Sequence, residues 1–232
     1  MKSIFYNRKL MITIFAVLIV ICTLFALFPL AFSIFSGTGV KTEPVNPDGA
    51  KAASEDINGE WHVTKGDPKN FSSVGFTIHE ILPAEDTVTS GSTTDVDGTV
   101  TVSDNTLRDS DVTVNMDALT TDKKVRDQNM KSKLLETDKD PEATFRVTKP
   151  VDLAAVPDDG SMGQVDITGE LTVKDQTKPV TETFDVLRDG DHLVVGGDVH
   201  FSRDDFGIET PDMIAAKIDQ DGAINVRLNL EK

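Results

Sequence analysis

Four histidines, His62, His79, His192 and His200, are the side chains best suited to hold a metal or move a proton near neutral pH. Zinc sites set such residues at H-x-H or H-x-x-x-H intervals or beside cysteines, and none of the four has a partner at that spacing. Asp-x-Asp-Gly occurs at Asp95 to Gly98 and at Asp219 to Gly222, but neither run continues to the further oxygen ligands and closing Glu of a calcium loop. Both read as turns. Arg126-Asp127 and Arg203-Asp204 have the chemistry to clamp an anion, and the simpler reading is that each charge pair pins a helix or a strand end. No Gly-x-Ser-x-Gly elbow, P-loop or dinucleotide fingerprint is present. These residues predict no enzyme, no cofactor and no metal site.

The chain that must position them has 232 residues and a formal net charge of -16. Residues 37 to 232 hold all 39 acidic groups and 20 of the 23 basic ones, which argues against nucleic acid as a partner, since phosphate binding needs a basic face. From Leu10 to Phe35 no residue is charged, a stretch long enough to cross a hydrocarbon core. Lys2, Arg8 and Lys9 precede it, so the positive-inside rule leaves the N-terminus cytoplasmic and the body extracytoplasmic. The segment 1–35 is expected to be a transmembrane anchor, and a cleaved signal segment, which would leave the body secreted or periplasmic, is the rival reading. Cys22, the single cysteine, lies inside it, so no disulfide can form in the body. Residues 36–58 mix Gly, Pro, Ser, Ala and charges without apolar period, the composition of a flexible linker. The folded domain is expected over 59–232, enough for one core.

That domain reads as strands. Trp61 and Val63, then Val74, Phe76 and Ile78, then Val112, Val114 and Met116 alternate with polar neighbours, and the same period continues through Phe145 and Val147, Leu171 and Val173, and the last strand, INVRLNL. Asp97-Gly98, Asp189-Gly190 and Asp221-Gly222 are read as hairpin turns. Eight or nine strands joined by short turns predict an antiparallel sheet that closes on itself. One stretch breaks the period. Between Val125 and Leu135, Met130 and Leu134 stand four apart among polar residues and Pro141 bars continuation, which predicts one amphipathic helix. From Thr120 to Leu135 five basic residues meet two acidic ones, a basic island on an acidic domain.

WHVTKGDPKNFSSVGFTIHE, VTVNMDALTTDKKVRDQNMKSKLLETDKDPEATFRVT, ITGELTVKDQTKPVTETFDV and FSRDDFGI resemble, in order, the successive signatures of the YceI-like proteins. The resemblance runs from about Gly59 to Glu231. It implies an all-β fold, an eight-stranded antiparallel lipocalin-like barrel with one short helix across an end, and an apolar cavity for polyisoprenoid or quinone-like lipids. One departure is Asp175, where family members commonly have Gly.

Two functions follow. In the first, the domain is an extracytoplasmic carrier of an amphipathic isoprenoid lipid, either a polyprenyl phosphate or diphosphate or a quinone-like molecule. In the second, the barrel is filled and the protein is a membrane-tethered interaction or stress-response module. The inward face is expected to present Val74, Phe76, Ile78, Val112, Val114, Met116, Phe145, Val147, Leu171, Val173 and Phe184, as lining or as core. Met130, Leu134 and Leu135 are expected to close the cavity as a lid, with Arg126, Lys131 and Lys133 at its rim facing a head group. The membrane is the other expected partner, through the N-terminal helix, and a homodimer is possible.

Overall fold

A computed structural model describes residues 41–82, 85–210 and 217–232, with the side chains of residues 82 and 85–87 left aside. The apolar segment from Leu10 to Phe35, with Cys22, lies outside them. Among the described residues no helix is long and apolar enough to cross a membrane.

Eleven strands build one antiparallel sheet: β1 (Gly59–Thr64), β2 (Ser73–Leu82), β3 (Glu85–Thr93), β4 (Val96–Ser103), β5 (Thr106–Asn115), β6 (Glu142–Val147), β7 (Val151–Asp152), β8 (Met162–Val173), β9 (Gln176–Asp189), β10 (His192–Ser202) and β11 (Lys217–Glu231). The path β1-β4-β5-β6-β8-β9-β10-β11 returns to β1, so eight strands close a barrel. The β2–β3 hairpin extends the wall, because β11 pairs with β1 at Asn229 to Glu231 and with β2 from Arg227 back to Lys217. β1 and β2 are thus two halves of one staggered strand. Short antiparallel connections and the Val- and Thr-rich alternation give this topology its local logic.

The turns correct the sequence reading. Asp189-Gly190 is a hairpin turn, with Gly190 at φ +62. Asp97-Gly98 instead lies within β4, and Asp221-Gly222 lies in β11 beside a register shift against β2. The tight turns fall at Asp104-Asn105 and Lys174-Asp175, all four with positive φ, where Asn and Asp tolerate the left-handed conformation better than most residues.

The helix is α1 (Lys124–Asn129), continued by a π-helical segment, Met130–Leu135, that ends on Glu136 in the left-handed conformation. Pro141 follows soon after and the chain re-enters the sheet at β6. Only Met130 in this whole element is buried.

From Lys41 onward the segment expected as a flexible linker is instead packed on the barrel wall. The Thr42 hydroxyl lies 2.8 Å from the Ser73 hydroxyl, Arg227 donates to the Pro44 carbonyl at 3.2 Å, and Asn70 is hydrogen-bonded to both backbone groups of Asn46 at 2.8 Å. Val45 covers Leu187 and Val194, which form a small apolar cluster apart from the main core. Polar composition hid this strap, since one valine and a set of backbone hydrogen bonds hold it. Asn70, the acceptor of a glycosylation sequon, is buried in these bonds and closed to modification in the folded chain.

The Lys174-Asp175 turn yields a test. Asp140 is held above the ordinary carboxylate range, first by desolvation and then by the charge and hydrogen bond of Asp175. A carboxyl with a raised folded-state pKa favours the fold at acid pH and loses that contribution as pH rises through it. Asp175→Gly relieves both the positive φ of 61 and the carboxyl pair, so Tm is expected to rise by a few degrees at pH 7. The gain shrinks toward pH 4, and thermal melts at the two pH values check the difference.

Candidate functional site

The barrel is filled at one end and open at the other. Inward residues of adjacent strands stack in layers set by register: Val112 faces Phe145, which faces Leu171, while Val114 faces Ala143 one layer nearer the helix. Toward the turn of β9 and β10, Trp61, Val102, Leu107, Val165, Phe184 and Leu230 fill the interior. Trp61 donates its Nε1–H to the Ile57 carbonyl at 2.8 Å, so its ring packs with no stranded donor. Toward the helix, an interior space of about 170 Å³ remains.

Strands from around the ring and the π-helical segment wall it. β2 contributes Val74, Phe76 and Ile78, and β5 with the turn after it contributes Val114, Met116 and Leu119. β8 contributes Leu171 and Val173, and Met130, Leu134 and Leu135 of the π-helical segment lie across the end. Ten of the expected lining residues therefore meet in one place. Leu119, Ala143, Phe201, Phe206, Ile208, Ile218 and Ile224 also border it and were not foreseen. Ala143 is two residues before Phe145 on the same face of β6, and Ile224 opens the alternation of INVRLNL, so both carried a readable signal.

Val112, Val147, Phe145 and Phe184 point inward but do not border the space. Val112, Val147 and Phe184 lie in the layers of the filled end. Phe145 leans the same way: a Cβ built on Gly169 would stand 2.4 Å from its ring, so the missing side chain of Gly169 is where that ring sits.

The charged residues fall into two groups. Arg126 reaches the cavity, where its guanidinium lies 3.6 Å from the Glu80 carboxylate and also bonds Asp122. Arg203 reaches it too, but its guanidinium is spent on the carbonyls of Asp219 at 2.7 Å, Ile208 at 2.9 Å and Ile218 at 3.1 Å. The Asp219 and Ile218 carbonyls lie at the register shift of β11, so Arg203 satisfies backbone beside the irregular ladder. Asp127 accepts from the backbone and hydroxyl of Thr121 at 2.7 and 2.6 Å. Neither Arg-Asp dipeptide is a ligand clamp on its own. Lys131 and Lys133, expected at the rim, do not border the interior space. The four histidines sit apart, beside Glu60, Asp219, Glu231 and Glu182 respectively, and no group of His, Cys, Asp and Glu among the described residues could hold a metal ion.

The wall has one seam. Backbone pairing of β9 with β10 ends at Gly196–Asp185, and beyond it the Glu182 carboxylate accepts from the His200 backbone N–H at 3.1 Å. Side chains take over from the ladder here.

A small closed barrel with an apolar interior space bordered by one balanced charge pair is an architecture with room for a single small apolar ligand. The model of the YceI-like domain matches residues 61–230, and the chain belongs to that family. It is 34% identical over 129 residues to Protein YceI of Shigella flexneri, a match covering 52% of this chain and 63% of that protein. The chain therefore spans a little under two thirds of that relative. Among solved structures it is similar in fold to a polyisoprenoid binding domain from Saccharophagus degradans, with a TM-score of 0.58 at 16% identity, covering 74% of this chain and 97% of that one. It is also similar to BcnA of Burkholderia cenocepacia, with a TM-score of 0.56 at 17% identity, covering 68% and 95%.

Two variants test this geometry. Arg126→Met strands the Glu80 carboxylate, whose side chain is 10% exposed, and is expected to cost about 2–4 kcal/mol in urea unfolding, most of it recovered by adding Glu80→Gln. Gly169→Ala drives a methyl into the Phe145 ring and is expected to cost about 1–3 kcal/mol. Phe145→Leu recovers only part of that, because the Arg146 carbonyl stands 2.5 Å from the same Cβ position.

Proposed function

We propose that this domain binds a single isoprenoid lipid with a neutral polar head, its tail in the apolar space and its head beside Arg126 and Glu80. The carrying observation is the interior space itself, lined almost wholly by apolar side chains, with Met130, Leu134 and Leu135 lying across its mouth. Each five-carbon unit contributes roughly 3–4 kcal/mol when buried, from about 0.8 per CH₂. Two or three units contribute about 6–12 kcal/mol, which offsets an association cost in the lower and middle part of the roughly 4–15 kcal/mol range. A volume of 170 Å³ is below the ~300–1,000 Å³ of common pockets, which favours a short buried tail with any further length projecting from the mouth.

Charge decides between the two head-group classes. A diphosphate needs surplus cations, whereas Arg126 is already met by Glu80 and Asp122, and Arg203 by carbonyls. A quinone or alcohol needs a donor and an acceptor, which that pair supplies. The similarity to the polyisoprenoid binding domain supports the lipid class. In the same reading the N-terminal apolar segment anchors the chain and places the barrel outside the cytoplasm, where added protease should remove it from intact cells of a one-membrane host.

Native mass spectrometry of the purified chain should find one isoprenoid quinone or alcohol per barrel. Val114→Trp should fill the space and abolish that mass while the domain stays folded; a wild-type chain without lipid, or Val114→Trp with equal lipid, would overturn the reading.

A further inference from the structure

The open end of the barrel carries a surface that lipid binding alone does not explain. Among the described residues the exposed large apolar side chains are Ile81, Val88, Val125 and Met162. Met162 opens β8 and pairs with Leu187, at the filled end. The other three gather at the mouth. Val88 pairs with His79 and Ile81 with Asp86, which puts both apolar side chains on the outer face of the β2–β3 hairpin. Val125 is next to Arg126, whose guanidinium lies 3.6 Å from Glu80, next to Ile81. Val88 and Val125 are 60% and 69% exposed, further out than a core residue at the edge of its packing would be.

Lysines surround them. Lys123, Lys124 and Lys133 are exposed, and Lys217 stands opposite Ile81 on β11. None of these four has an ion-pair partner among the described residues, while Asp122 is met by Arg126, Asp127 by Thr121 and Asp219 by His79; Asp86, opposite Ile81 on β3, adds one acidic position to the same sector. Unpaired lysines around protruding aliphatic side chains are the chemistry of an anionic bilayer surface, with cations at the phosphates and aliphatics among the upper acyl carbons. The chain's net charge of -16 opposes such an approach at long range, but screening over about 8–10 Å leaves a contacting sector governed by its own charges.

The chain outside the structure permits this contact. Only residues 36 to 41 separate Phe35, the end of the uncharged run, from Thr42 on the barrel wall, a reach of at most about 25 Å. Ser73, which holds Thr42, is eight residues along β2 from Ile81, roughly 20 Å along the axis of a tilted barrel. A tether of that length lets the mouth rest on the surface in which it is rooted.

We propose that the sector formed by the outer face of the β2–β3 hairpin and the exposed side of α1 docks on an anionic lipid surface, so that the cavity opens at the bilayer. This rests on the anchoring reading of the N-terminal segment and not on the identity of the cavity ligand.

The test uses the full chain with Cys22→Ser, reconstituted into vesicles of phosphatidylglycerol and phosphatidylcholine or of phosphatidylcholine alone. A fluorophore is placed in turn at Val88→Cys, Val125→Cys and, as the filled-end control, Asp104→Cys, and is quenched by spin-labelled lipid. Quenching at positions 88 and 125 is expected to exceed that at 104 by about threefold in anionic vesicles, and to fall with salt. Lys123→Gln with Lys124→Gln should lower the docked-to-free ratio about fivefold per lysine. Equal quenching at the three positions, stronger quenching at 104, or no response to the lysine changes overturns the proposal, as does extraction of the chain from vesicles by alkaline carbonate. Lipid content measured on the same samples reports separately on the cavity, so a barrel that docks while empty upholds the docking and removes the ligand reading.

Discussion

Closure of the sheet by β11 is the constraint on which the rest depends. At fifteen residues this strand pairs with β10 along one edge from Asp221 to Leu230 and with both β1 and β2 along the other, so most of its length is paired on both sides. A ring of eight strands has an interior just wide enough for its own side chains. Whether it holds a ligand is therefore decided by side-chain size, layer by layer. Trp61, Phe145 and Phe184 complete the lower layers, and Gly169 makes room for one of those rings. Above them the inward positions on β5, β6 and β8 are Val114, Ala143 and Val173, which leave space.

The long β11 also imposes costs that particular residues meet. Its register shifts against β2 between Ile218 and Gly222, and Arg203 donates to the Ile218 and Asp219 carbonyls there and to Ile208 beyond it. Arg227 does similar work lower down, donating to Phe71 and Pro44 with its guanidinium 4.5 Å from the Phe71 ring centre; burial pulls its pKa down, yet a guanidinium stays charged at any physiological pH. Cations that resemble ligand clamps in the sequence are here the means by which an irregular closed sheet keeps its carbonyls satisfied. That is why the cavity has so little charge of its own to offer.

Much of this was legible. The period-two pattern and the one helical interruption are physical signals of local geometry, and they placed the strands, the helix and most of the lining residues. Register in depth was not legible: Val112 and Val114 have the same parity and the same type, and only the layer each reaches separates core from lining. The strap was missed because its evidence lies elsewhere in the chain. Leu187 follows Val186, and Val194 lies between Leu193 and Val195, so those strands are apolar on both faces and need an outer cover. Two faces of burial on an otherwise one-faced barrel pointed to the segment that covers them. Charge count along a helix does not say which side chain reaches the cavity: of the basic residues there, Arg126 borders it and Lys131 and Lys133 do not.

The element across the mouth is built to yield. A π-helical segment trades regular i→i−4 bonding for a wider turn, six residues of α1 bury nothing, and Met130 alone is fully inserted. Local opening costs scale with the apolar contacts broken, so this end of the barrel opens far more cheaply than the filled one, where Leu187 and Leu230 are fully buried. Arg126 limits how far it goes, because its contact with Glu80 ties the helix to β2. The asymmetry follows from composition: the large side chains that stabilise the barrel lie at the filled end, and the weakly packed helix lies across the interior space.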